Sequence, residues 1–192
     1  MLIDAPEKTY TAEEYMRLAQ SAEYEGRMIE LVDGRIVEMA GGGSGKHGET
    51  ISEVTFLLLA HVKQHKLGRT TGAETGYILD MEAGIRPTVR CPDFAFVSYA
   101  RAPQPLGEGF VPFAPDLAVE VVSPGNDAEE IHSKVRAFLN AGTRAVWVVY
   151  PKSQTVVVHT ANTARTYEAT ETLEGGDVLP GFSVTVGDLF PK

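Results

Sequence analysis

Leu117-Ala118-Val119-Glu120-Val121-Val122, then Ser123-Pro124-Gly125-Asn126-Asp127, then a polar-apolar run to Asn140, then Arg144-Ala145-Val146-Trp147-Val148-Val149-Tyr150: this stretch decides the fold. Short apolar runs bounded by turn residues predict strands buried on both faces. Between them, Ile131, Val135, Phe138 and Leu139 recur at helical spacing from about Ala128 to Asn140, and Gly142 follows as a helix stop. Strand, helix, strand in that order predicts a βαβ unit with parallel strands and a right-handed crossover. The first strand also carries an acid, Glu120. A carboxylate buried in an apolar strand is costly unless something pairs with it.

A second acid lies upstream in Cys91-Pro92-Asp93-Phe94-Ala95-Phe96-Val97. Strand alternation puts Asp93, Ala95 and Val97 on one face and Phe94 and Phe96 on the other. Pro92 makes this end an edge, a bulge or a beginning. In the later strand Glu120 shares a face with Ala118 and Val122. Two acids flanked by small side chains leave room for a divalent cation, which takes oxygen ligands. Lys134 borders the buried stripe of the following helix, so its stem can run along the core and its ammonium can reach the carboxylates. There it would orient or help deprotonate a water, or stabilise developing phosphate charge. Periodicity also admits a snorkelling surface lysine at 134 and a strand-end cap at Asp93. A purely structural reading accounts least well for Glu120.

Taken in order, Thr11-Ala12-Glu13-Glu14 fits a capping box opening a helix that ends near Ala22, with Tyr10 and Tyr15 placed as a hydrophobic staple. From Met28 to Met39, Asp33-Gly34 between apolar runs predicts a hairpin, with Glu30 as an outward-facing strand residue. The run from Ala40 to His47 predicts a flexible glycine-rich loop without P-loop spacing. A long helix from His47 to Lys66 carries the stripe Ile51, Val54, Leu57, Leu58 and Val62, with Gly68 as its C′ residue. His61 and His65 share a face but lack the intervening Glu of a zinc motif, which favours a solvated face. Arg69 to Asp80 predicts a strand, Glu82 to Pro87 a turn, and Thr88 to Val97 a returning strand. The Pro-rich segment 100–115 is a surface loop, a candidate lid or substrate rim. Thr155–His159 and Thr166–Thr170 predict a further hairpin. Segments 179–184 and 186–190 close the chain. With no repeat or linker, residues 1–192 are taken as a single domain.

Composition sets the outer limits. The chain has 192 residues, 43% hydrophobic and 22% charged, an ordinary soluble balance. No apolar run is long enough to cross a bilayer, and Met1 to Pro6 lack a signal-peptide pattern, which points to a cytoplasmic protein without a membrane partner. The single cysteine, Cys91, excludes an intrachain disulfide and reads as a core thiol. A net charge of −9 argues against gripping nucleic acid by bulk electrostatics. It leaves open a nuclease whose acids are neutralised by metal.

The order Glu30-Leu31-Val32-Asp33-Gly34, His47 at a helix start, Pro92-Asp93-Phe94-Ala95-Phe96-Val97, Glu120-Val121-Val122-Ser123-Pro124, Lys134, Gly142 and Trp147-Val148-Val149-Tyr150-Pro151 resembles the Uma family. These are restriction-endonuclease-like proteins of the PD-(D/E)XK nuclease superfamily. The resemblance extends to Leu179-Pro180-Gly181 and Asp188-Leu189-Phe190. It implies an α/β (mixed α+β) fold: a restriction-endonuclease-like central mixed sheet flanked by helices, with additional β-hairpins. It also implies a metal-dependent DNA endonuclease using Mg²⁺ (or Mn²⁺), with DNA as substrate; a homodimer would suit double-strand cleavage. Residue by residue, Asp93 matches the metal-binding Asp and Glu120 the acid of the E-X-K strand. Val122 stands where that motif has its lysine, and Lys134 takes the lysine's place from the helix. Glu30 matches an acid that adds a metal contact. His47 matches a histidine that activates water, contacts phosphate or makes a structural hydrogen bond. The alternative is a catalytically inactive module of the same fold that binds nucleic acid or a protein partner.

Overall fold

The computed structural model describes residues 8–39, 44–79 and 87–192. The expectations for Met1–Pro6, for the glycines at 41–43 and for residues 80–86 of the predicted strand and turn lie outside them.

Helix α1 (Ala12–Ala19) starts on the predicted capping box: Thr11 Oγ1 accepts the Glu14 N–H at 3.1 Å, and Glu14 Oε2 accepts the Thr11 N–H at 2.8 Å. It stops at Ala19, short of the expected Ala22. The hairpin follows as β1 (Ile29–Val32) and β2 (Arg35–Glu38). Asp33 and Gly34 have φ of 48° and 75°, the two positive values a tight type I′ turn requires.

Helix α2 (Gly45–His65) is capped by Ser44, whose Oγ accepts the His47 N–H at 3.3 Å. The left-handed residue that ends it is Lys66, with φ of 54°, and Gly68 instead opens β3 (Gly68–Gly72). Glycine is needed there for another reason. A Cβ at 68 would stand 2.1 Å from the Val97 carbonyl oxygen, so only a bare backbone can lie this close to the neighbouring strand. The predicted strand Arg69–Asp80 is in fact two: β3 and β4 (Tyr77–Ile78) belong to different sheets. The predicted strand Thr88–Val97 also divides, into β5 (Val89–Arg90) and β6 (Phe94–Ser98), with Pro92 in the break.

The βαβ unit is present as read. Strand β7 (Leu117–Val121), helix α3 (Ala128–Asn140) and β8 (Ala145–Tyr150) follow in order, and β7 pairs with β8 in parallel. Asp127 caps α3, accepting the Glu130 N–H at 2.7 Å, and Gly142 follows it with φ of 91°. Strands β9 (Thr155–His159), β10 (Ala164–Tyr167), β11 (Thr172–Glu174) and β12 (Ser183–Thr185) follow, and a 3₁₀ turn at Val186–Leu189 closes the chain.

The central sheet runs β10-β9-β8-β7-β6-β3, mixed because β7–β8 alone is parallel among its pairs. Its two faces sort as alternation requires. Phe94, Phe96, Leu117, Val119 and Val121 pack with Val54, Leu58 and Val62 of α2. Ala95, Val97, Ala118, Val146 and Val148 pack with Ile131, Val135 and Phe138 of α3. Each fully buried side chain of this size contributes roughly 1.5–3 kcal/mol, so this two-sided core fixes the registers of β6 and β7. A smaller sheet, β2-β1-β5-β4, carries α1 through Tyr15, Leu31 and Val89. The two sheets meet around the segment 90–94. Among the described residues no helix is long and apolar enough to cross a membrane.

Candidate active site

The antiparallel register Phe94↔Val119 would, if continued, set position 92 opposite Val121. Pro92 has no N–H to give to that ladder. The two polar groups of Val121 are served by side chains instead: its N–H donates to Asp93 Oδ2 at 2.7 Å, and its carbonyl accepts from His47 Nε2 at 2.8 Å. A carbonyl can only accept, so Nε2 carries the proton. The proline break thus turns Asp93 inward, and the first turn of α2 brings His47 to the same end of β7. Oδ1 of Asp93 is left uncommitted among the described residues. Burial raises the pKa of Asp93, and the Val121 N–H, His47 and Lys134 pull against it.

One residue before Val121, Glu120 points toward α3 and is 5% exposed. Lys134 reaches it from the helix, with Nζ 3.2 Å from Glu120 Oε2 and 3.4 Å from Glu30 Oε1. Lys134 is therefore buried, not a surface lysine. Burial alone would lower its pKa; the two carboxylates outweigh that, so the ammonium is held charged beyond the ordinary lysine range. Glu120 moves the other way from what its partner suggests. Burial dominates, the Asp93 and Glu30 charges add to it, and its carboxyl is pushed up to about 8.

Glu30 does not face outward as the hairpin pattern suggested. It is 2% exposed: the hairpin lies under α1 and beside α3, so the face that alternation left open is the inner one. Its Oε2 accepts from Arg90 Nη1 at 2.8 Å and its Oε1 from the Cys91 N–H at 3.0 Å. Arg90, which the sequence reading did not single out, is buried and also donates from Nη2 to Ser133 Oγ at 2.9 Å. An arginine in a two-residue strand gives no local sign of its partner sixty residues away.

A contrast with another buried acid shows what is special about Glu120. Asp116 is equally buried, but its Oδ2 accepts the Ser98 N–H at 2.7 Å and its Oδ1 lies 3.3 Å from Arg101 Nε. Both oxygens are satisfied and the group is structural. Among the described residues Glu120 Oε1 is buried with no hydrogen-bond partner. Such an oxygen calls for a donor that the described side chains do not supply, and a bound cation or a water can meet it.

Glu30, His47, Asp93, Glu120 and Lys134 all line one cleft of about 770 Å³. Cys91 lines it too, half-buried and outside the core where it was expected, with burial pushing its thiol up to about 12. Phe110, from the Pro-rich segment, forms part of the wall. The histidine pair on α2 lies elsewhere: His61 Nε2 donates to the Pro180 carbonyl at 3.0 Å. Among the described residues no three His, Cys, Asp or Glu side chains converge in a metal-holding arrangement. Both Glu30 oxygens face Arg90, Cys91 and Lys134.

A mixed sheet clasped by α2 and α3, with Asp93 and Glu120 at adjoining strand ends and a lysine beside them, defines a restriction-endonuclease-like protein. The chain belongs to the Uma2 family, described as "Putative restriction endonuclease", whose model matches residues 12–187. A crystal structure from Anabaena variabilis, described as "a putative nuclease belonging to DUF820", superposes with a TM-score of 0.76 at 22% identity, covering 94% of this chain and 97% of that one. At that identity the likeness establishes the fold. No curated protein matches the chain.

Proposed function

We propose that this chain is a Mg²⁺- or Mn²⁺-dependent endodeoxyribonuclease whose centre is Glu120, Asp93 and Lys134. The observation that carries the reading is Glu120 Oε1, a buried carboxylate oxygen on the wall of the cleft without a partner among the described residues. The donor set fits the ion: carboxylate oxygens are the hard ligands Mg²⁺ and Mn²⁺ take, and such ions are often held by one or two carboxylates with water and phosphate filling the rest. Asp93 and Glu120 would hold it. Bound there, it would acidify a coordinated water and polarise the phosphoryl oxygens.

The protein's own contribution follows from the contacts. Lys134 stays an ammonium, so it acts as a hydrogen-bond donor and a positive charge, not as a proton acceptor. It orients the attacking water or meets the negative charge that grows on the phosphate. Glu30 and Arg90 serve it indirectly: the Arg90–Glu30 pair fixes the carboxylate that holds Lys134. His47 holds the Val121 carbonyl and so keeps the end of β7, with Glu120 beside it, in place.

The test is cleavage of DNA by the full chain with Mg²⁺ or Mn²⁺, with EDTA as control, beside Asp93→Asn and Glu120→Gln. The expected result is metal-dependent cutting lost in both variants at unchanged folding. Equal residual cutting in both would overturn the reading.

A further inference from the structure

The contacts leave the proposed reaction without a place for one proton. A water that attacks phosphorus must give a proton up, and the acceptor has to stand in the cleft. Lys134 holds its own protons between Glu120 and Glu30. Glu30 accepts from Arg90 and from the Cys91 N–H. Asp93 Oδ2 accepts from the Val121 N–H and Glu120 Oε2 faces Lys134. The remaining oxygens of these two acids are the ones offered to a cation. His47 is committed through Nε2 to the Val121 carbonyl.

Another carboxylate lies in the same cleft. Glu74 lines it from the loop that carries the chain from β3 in the central sheet to β4 in the smaller one. It is exposed, and no hydrogen bond or ion pair occupies it among the described residues. Its charge reaches the centre: the Cys91 thiol, raised chiefly by burial, also lies under the charges of Glu30, Lys134, Glu120 and Glu74. Glu25, another exposed acid of the lining, is not among them.

The backbone at Glu74 has a φ of 72°, a left-handed value that glycine or asparagine adopts at less cost. The loop holds it there. Thr71 Oγ1 and Tyr77 Oη close its base at 2.8 Å, and Gly76 is clamped where a Cβ would stand 2.4 Å from the Phe110 ring. A strained residue fixed by its surroundings at a cleft points to function, and here that residue brings an uncommitted carboxylate.

We infer that Glu74 is the proton acceptor for the attacking water, a catalytic group that the acids in the strands do not supply. This deepens the cleavage reading and rests on it. As the O–H bond of the water breaks, its proton passes to the Glu74 carboxylate. The water oxygen forms its bond to phosphorus while the bond from phosphorus to the leaving oxygen breaks, and that oxygen takes a proton from solvent. Glu74 then returns its proton to solvent.

The experiment compares the full chain with Glu74→Gln, Glu74→Gly, Glu25→Gln and Glu120→Gln for DNA cleavage, for Mn²⁺ binding by calorimetry and for metal-free melting. Expected for Glu74→Gln is cleavage slower by about 100-fold or more, with Mn²⁺ affinity within about threefold of wild type. Its metal-free melting temperature should be unchanged, because the carboxylate has no described partner to lose. Formate, against chloride at equal ionic strength, should restore part of the cleavage by Glu74→Gly and none of that by Glu120→Gln. Glu25→Gln should cut as wild type does. Three results would each overturn the inference while the cleavage reading stands: cutting by Glu74→Gln within about threefold of wild type, a fall in its melting temperature or Mn²⁺ affinity beside the loss of cutting, or indifference of Glu74→Gly to formate. Absence of cutting by wild type with either metal would end both.

Discussion

Lys134 Nζ stands 3.2 Å from Glu120 Oε2, although the lysine comes from α3 and the acid from β7, fourteen residues earlier. The βαβ crossover makes this contact: α3 packs back over the strand it follows, and the helical phase that buries Ile131, Val135 and Phe138 turns Lys134 inward beside them. A lysine two residues after the acid on the strand would share its face. Val122 occupies that position, and the helix supplies the cation instead.

Removing that cation has a calculable direction. Lys134→Met leaves Glu120 and Glu30 buried without their shared partner, and breaking a buried ion pair from one side typically costs about 3–5 kcal/mol. Urea denaturation should show a loss of that size at pH 8–9. The loss should shrink as pH falls below about 8, where the Glu120 carboxyl takes up a proton.

Metal affinity should depend on pH with a definite sign. Burial holds the Glu120 carboxyl at about 8, so near neutrality a cation must displace a proton from it. Apparent affinity should rise by about tenfold per pH unit below 8 and level off above it. The same shift predicts metal-free stability. A carboxyl raised in the folded state contributes stability that is fully present below the ordinary carboxylate range and is lost as pH rises through about 8. The melting temperature without metal should therefore fall from about pH 5 to about pH 8 and level off above it, and Glu120→Gln should flatten that fall.

His47 is predicted to act through a backbone contact. His47→Ala removes the donor to the Val121 carbonyl, at a cost of about 1 kcal/mol, and should lower metal affinity by loosening the end of β7. His47→Gln, whose amide can also donate, should recover much of the loss. A substitution that spared both stability and metal binding while abolishing cleavage would place His47 in the chemistry instead.

Gly68 tests the fold. A Cβ there would meet the Val97 carbonyl at 2.1 Å and the Phe96 ring at 2.8 Å, so Gly68→Ala should push β3 off β6. We expect a loss of several kcal/mol, of the kind overpacking produces (about 1–3, and more against backbone), seen as a large drop in melting temperature.

Which features could be read in the sequence follows a physical line. Those specified locally were legible: the Thr11 capping box, the Asp33-Gly34 turn, the Asp127-led helix and the alternation that sorts Phe94 and Phe96 from Ala95 and Val97. Those set by distant partners were not. Glu30 looked outward because nothing near it in sequence reveals α3 and Arg90, and Arg90 itself has no local motif. The split of residues 69–80 between two sheets was hidden because a strand pattern does not say which neighbour each half will pair with. Opposite charges in separate apolar strands, Glu30 and Arg90, were the one available hint that two buried groups must meet.

The central claim, that Asp93 and Glu120 hold a divalent cation, is tested most directly by isothermal titration of Mn²⁺ into the full chain and into Glu120→Gln at pH 8. The account predicts one ion bound per wild-type chain, with proton release that varies with buffer ionisation heat, and no comparable binding to the variant. Binding of equal strength to both, or none to wild type at millimolar Mn²⁺, would contradict it.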